Sequence, residues 1–173
     1  MTGELLQARG GVGPAGRFRL ISRGWDGRLL GARTFENGTT QQGVTHLAAR
    51  MFLGAAAYST WYIGLINQAG FSALNSADTH QAHPGWSEWA ALYLSLRVAW
   101  APSAAAGRFM DAPTTVLSVT ASGLVRGAFL ASTPNIGTAS GQVIYATGVD
   151  TEPLAVEAGG TVLVGYKLRL SPR

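Results

Sequence analysis

The sequence predicts a mainly β protein: an antiparallel β-sandwich, with a jelly roll as the leading arrangement, and one short helix. Three observations carry this. Stretches of period-two alternation recur, most cleanly at the end, where Val162, Val164, Tyr166, Leu168 and Leu170 share one face and Leu163, Lys167 and Arg169 the other. Tight-turn pairs such as Asp26-Gly27, Asn37-Gly38, Ser122-Gly123 and Gly159-Gly160 separate these stretches. Only one segment has a convincing helical period. At 173 residues the chain suits a single core, and it holds no internal repeat or second domain.

In chain order, residues 1–16 contain five Gly and a Pro and read as a flexible amino-terminal arm, with Leu5-Leu6 its apolar anchor. The β-sandwich domain then spans 17–173. Residues 17–35 read as a hairpin about Asp26-Gly27, with Phe18, Leu20 and Ser22 alternating against Arg17, Arg19 and Arg23. One face of it would carry Arg17 and Arg19, together with Arg28 and Arg33. Asn37-Gly38 reads as a turn leading to a helix capped by Thr39, with Gln42 at capping-box spacing. Val44, Leu47, Ala48, Met51 and Phe52 form its apolar stripe, Gly54 ends it, and His46 lies off the stripe as a solvated or capping side chain. Beyond Tyr58, strands are expected at 61–65, from about Leu92 to Trp100, and at 114–120, 124–132, 142–147, 154–156 and 162–170, about eight in all. Residues 101–113 and 133–141 read as loops of small and turn-forming residues.

The least generic stretch is Trp61 to Trp89. It leaves the strand pattern after Leu65 yet keeps its aromatics, holding three of the five tryptophans and two of the three histidines around His83-Pro84-Gly85. A long loop of this composition is a functional loop or an interface element. Asp78 is expected to cap its backbone and His83 to pack near Trp86. Trp61 and Trp100 are assigned to the core. Trp86 is the candidate for exposure, as a broad, low-entropy anchor for a partner.

Only 13% of the residues are charged, about half the usual share, which suits a surface that meets another protein. The net charge of +4 comes from twelve Arg and one Lys, with six of the Arg before position 34. Arg forms bidentate, weakly hydrated pairs, so this third of the chain suits an acidic protein surface. Nucleic acid is not favoured, because the basic residues form no run and lack interleaved aromatics. The absence of cysteine excludes disulfides and thiolate chemistry. No signal peptide and no apolar run of transmembrane length is visible, so the expectation is a soluble protein made in the cytoplasm.

The order Trp61-Tyr62-Ile63-Gly64-Leu65-Ile66, then Phe71, Leu74, Asp78-Thr79, His83 and Gly85-Trp86 with Glu88, resembles a family of small structural proteins in tailed-bacteriophage genomes. The closing segment Val156 to Val164 fits the same pattern, and the resemblance spans about residues 37–170. The family is read as capsid cement or decoration proteins resembling jelly rolls. The resemblance implies a virion protein on the outside of the head, made in the host cytoplasm. Its partners would be the major capsid protein and further copies of itself, as a dimer or trimer. The interface candidates are Trp86, His83, Arg17, Arg19, Arg28 and Arg33. A phage tail or adhesion role, or a carbohydrate-binding sandwich, is the alternative.

Catalytic and metal readings are weaker. His80 and His83 with Asp78 and Glu88 have zinc-like spacing, but Pro84-Gly85 prevents a helix from presenting both rings on one face. Ser76 or Ser87 with His80 and Asp78 could be drawn as a triad, yet no G-x-S-x-G elbow occurs. Gly10-Gly11-Val12-Gly13 lacks the Lys-Ser/Thr and the preceding strand of a phosphate loop. No enzyme activity, metal or cofactor is expected.

Overall fold

A computed structural model describes residues 14–90, 96–102, 109–137 and 140–170. These form β1 (Pro14–Arg23), β2 (Leu29–Thr39), α1 (Gln41–Phe52), β3 (Trp61–Asn67), β4 (Val98–Trp100), β5 (Phe109–Asp111), β6 (Thr115–Ser118), β7 (Gly123–Ala131), β8 (Ile144–Val156) and β9 (Thr161–Leu170). Every strand pairing is antiparallel. The strands follow one path, β4-β3-β7-β8-β2-β1-β9-β5, with β6 also paired to β9. The sheet curls into a half-barrel.

Alternation sets the register of one half. Phe18 and Leu20 of β1 and Val162, Val164, Tyr166 and Leu168 of β9 point into the core, while Lys167 and Arg169 stay outside. Phe18 pairs with both Phe35 and Tyr166, its ring 5.7 and 4.5 Å from theirs. A one-residue slip would bury the cations instead, so this register is strongly specified. The strand begins earlier than the sequence suggests. Pro14 to Gly16 pair with Leu168 to Leu170, so they belong to the sheet. Residues 1–13 of the expected arm lie outside the described residues.

Asn37-Gly38 is not a turn. Asn37 still pairs with Gly16 of β1, whereas Gly38 and Thr39 pair with Thr147 and Ala146 of β8. Those two residue pairs join the halves of the sheet, and the dipeptide sits where β2 passes from one neighbour to the other.

The chain then turns directly into α1, capped one residue later than the sequence suggests. Thr40 accepts a hydrogen bond from the Gly43 amide at 2.9 Å, and its hydroxyl donates to the Ile144 carbonyl. Gln42 closes no capping box. Its Oε1 accepts from the amides of Ile144 (2.8 Å) and His80 (3.2 Å), and its Nε2 donates to the Gln142 carbonyl at 2.9 Å. Helix, loop and β8 thus share one side chain. The helix lies on the sheet through Gly43, which is buried, and of the apolar stripe only Leu47 turns inward, half-buried. Val44, Met51, Phe52 and Leu53 are exposed, the last two by 79% and 82%. Gly54 ends the helix at φ +66°.

The strands expected at 142–147 and 154–156 are one, β8. Val149 pairs with Gly127 but Leu154 with Val125, so Asp150 to Pro153 bulge out opposite Arg126 alone. Arg126 holds the bulge by donating to the Thr151 carbonyl at 2.8 Å. The end of the expected 101–113 loop forms β5, an edge strand on β9. Of the strand expected from Leu92, only Val98–Trp100 is strand, and 91–95 lie outside the described residues.

A Cβ at Gly43 would collide with the backbone of Tyr145, which cannot rotate away. Gly43→Ala should therefore lower the melting temperature by about 5 °C, on the order of 2 kcal/mol of overpacking. Val44→Ala, on the exposed side of the same turn, should shift it by under about 2 °C. Equal shifts in calorimetry would show that the helix does not dock through Gly43.

Candidate functional site

The loop between β3 and β4 is a second layer of the molecule. On β7, Ala128 and Leu130 face the main core, while Phe129 and Ala131 face the other way, into a smaller cluster with Ile66, Ile144 and Trp86. Phe71 and Leu74 of the loop pack against that cluster. Gly127 to Ala131 are all buried because the sheet is covered on both sides here.

Trp86 is the centre of this layer, which overturns its assignment as the exposed residue. It is 4% exposed and packs 5.1 Å from the Phe129 ring. Its Nε1 donates to Asp78 Oδ2 at 2.8 Å, and the same carboxylate oxygen caps the Asn75 amide at 3.0 Å. His83 stacks on Trp86 at 3.9 Å between ring centres, and its Nδ1 lies 2.9 Å from the Trp86 carbonyl. The expected capping role of Asp78 and packing role of His83 are both present. The apolar surface that Trp86 was to offer a partner is instead spent on Phe129.

The loop's return strand closes an edge of the sheet. The Asn67 amide donates to Ser87, the Trp89 amide donates to Leu65, and Ile66 bridges Glu88. Pro84-Gly85 bends the chain beforehand, and the Ser72 amide donates to the Gly85 carbonyl across the loop's base.

A residue not singled out from sequence, Arg97, holds these pieces together. Its side chain is 2% exposed and forms a fork-to-fork pair with Glu88, Nε to Oε1 and Nη2 to Oε2, each at 2.8 Å. Nη1 donates to the Thr133 carbonyl at 3.0 Å and meets His80 Nε2 at 3.1 Å; Nη2 reaches the Gly137 carbonyl at 3.5 Å. Arg has only donors, so His80 accepts through Nε2 and carries its ring proton on Nδ1. The guanidinium lies 5.0 Å from the centre of the Phe129 ring. A lone Arg in an apolar run, Leu96-Arg97-Val98-Ala99-Trp100, was the available signal, with Glu88 nine residues earlier to balance it.

The two histidines therefore serve different partners: His80 the guanidinium, His83 the indole. Among the described residues, no group of three or more His, Asp or Glu comes together to hold a metal ion. Ser76 and Ser87 are exposed, while Asp78 is buried as the acceptor of the Trp86 indole and His80 is buried against Arg97.

The basic candidates divide. Arg28 is paired with Asp26 and Glu157, and Arg33 with Glu152, all at 3.3–3.4 Å. Arg17 pairs with Glu36 at 2.6 Å, both side chains more than 60% exposed. Such exposed pairs add little stability. The outward face of β1 and β9 remains basic, because Arg17 and Arg19 lie beside Lys167 and Gly165 in register, with Arg23 and Arg169 further along the same face. Phe109 of β5 lies under Lys167 and Arg169. His46, expected as a solvated or capping side chain, is half-buried, its ring 4.9 Å from Tyr58 and 5.8 Å from Trp61.

The fold defines an antiparallel, curled half-barrel backed by an ordered loop layer. The chain matches no model of a protein family, no curated protein and no solved structure. Among the described residues, no helix is long and apolar enough to cross a membrane.

Arg97→Met leaves Glu88 buried without its partner and should cost about 3–5 kcal/mol in urea denaturation. Adding Glu88→Gln should return at least about 1 kcal/mol of that loss, since the uncompensated charge is gone. A double variant no more stable than the single would show that the pair is not coupled.

Proposed function

We propose that this protein is a non-catalytic structural component of a tailed-phage virion, a decoration or cement protein bound to the outside of the head. The observation that carries the reading is the basic outer face of β1 and β9. Arg17, Arg19, Arg23, Lys167 and Arg169 stand there against Glu36 and Asp111, leaving three positive charges in excess (five minus two). A face of this sign on a paired set of strands favours an acidic protein surface, and the same charges speed encounter with it. The resemblance of the Trp61–Glu88 pattern to phage structural proteins points the same way. In such a role the chain binds the assembled shell, and each copy stabilises that shell by its binding free energy. In this role the halves β4-β3-β7-β8 and β2-β1-β9-β5 act as the two layers of a jelly-roll-like sandwich, and the protein works as a homo-oligomer.

Purified particles should contain the chain in copy numbers comparable to the major capsid protein. Arg17→Glu with Arg19→Glu should lower occupancy at least about tenfold without lowering the melting temperature by more than a few degrees. Occupancy of the wild type should fall with added salt. A few copies confined to the tail tip would instead support the adhesion or carbohydrate-binding alternative and overturn the cement reading.

A further inference from the structure

Between α1 and the mouth of the curled sheet lies a cavity of about 330 Å³, open on one side. Its walls include the rings of His46, Tyr58, Trp61, Trp100 and Tyr145. The rings brace one another: Tyr58 and Tyr145 each meet Trp61 edge-on at 5.6 Å. Two of their polar tips are occupied elsewhere. Tyr58 donates its hydroxyl to the Gly141 carbonyl at 2.6 Å, and Trp100 donates Nε1 to the Tyr166 carbonyl at 3.0 Å. The surface left toward the cavity is largely apolar. Burial pushes the Tyr145 phenol up to about 12, so it adds no negative charge near neutral pH.

Arg50 is the one residue with a permanent charge among the described residues of the lining. It closes the last turn of α1, and its Nη1 donates to the Ala55 carbonyl at 2.8 Å. That single bond fixes the guanidinium at the rim and leaves most of its donor fork unspent. No carboxylate lies among the described residues of the lining. The volume falls within the range of small-molecule sites, which occur in the mouths of β-barrels.

We propose that the cavity is a binding site for a small, flat, largely apolar molecule with one anionic group. Its body lies among Tyr58, Trp61, Trp100 and Tyr145, and its anion meets Arg50. The site is separate from the basic face of β1 and β9 and does not depend on the virion role.

Two naphthalene probes test it with the full-length protein: 8-anilinonaphthalene-1-sulfonate, which is anionic, and N-phenyl-1-naphthylamine, its uncharged counterpart. Both should bind the folded wild type and quench the emission of Trp61 and Trp100 by energy transfer. Arg50→Gln should weaken the sulfonate about tenfold, as the loss of one charge-assisted contact implies, and leave the neutral probe within about twofold. Ala57→Trp and Ser59→Trp, each placing an indole on an exposed lining position, should abolish binding of both probes; two variants guard against one failing to fold. Phe52→Ser, on the apolar patch outside the cavity, should change neither. Failure of the wild type to bind, indifference to both Trp variants, or loss on Phe52→Ser would overturn the proposal. Equal weakening of the two probes by Arg50→Gln would overturn the anion's part in it.

Discussion

The outer layer of this protein depends on a buried cation. Arg97 sits against Phe129 with its side chain nearly fully removed from water. Desolvating a guanidinium costs several kcal/mol, and the site offsets this only by giving every N–H an acceptor. Those acceptors come from distant parts of the chain: Glu88 and His80 from the loop, Thr133 and Gly137 from the segment after β7. Meeting the needs of one side chain therefore positions two loops against the sheet. The apolar cluster of Trp86, Phe129, Ile66 and Ile144 is then shut beneath them.

Gln42 plays a matching part at the other end of the loop. It ties the first turn of α1 to His80 and to Ile144, so the helix, the loop and β8 are fixed together near the seam where β2 meets β8. With its loop spent on the sheet, the molecule presents three distinct outer features. These are the basic face of β1 and β9, the exposed end of α1, and the ring-lined cavity beneath that helix. The proposed shell contact uses the first, and the small-molecule site uses the third.

Strand periodicity was legible wherever one face is buried and the other wet, as in β1 and β9, because a slip there would bury Lys167 and Arg169. It was less legible in β8, which reads as two separate strands because Asp150 to Pro153 bulge out of the ladder between them. It was misleading in α1, where most of the apolar stripe faces outward and contact is made through Gly43, a residue with no side chain to signal it. In the loop, local roles could be read from residue type: Asp78 caps and His83 stacks. The exposure of Trp86 could not, because its partner Phe129 lies more than forty residues later on β7. Arg97 and the cavity rings share this difficulty, since their meaning lies in partners that only the folded topology brings near.

If Arg97 makes the loop part of the folded core, the loop's amides must open only with the sheet beneath them. Native-state hydrogen exchange measures this directly at Asn67, Ser72 and Trp89, whose amides donate to Ser87, Gly85 and Leu65. Protection at these three within about 1 kcal/mol of the most protected amides of β7 is the expected result. Rapid exchange at all three, with β7 still protected, would mean that the loop opens on its own and that the buried cation does not hold it.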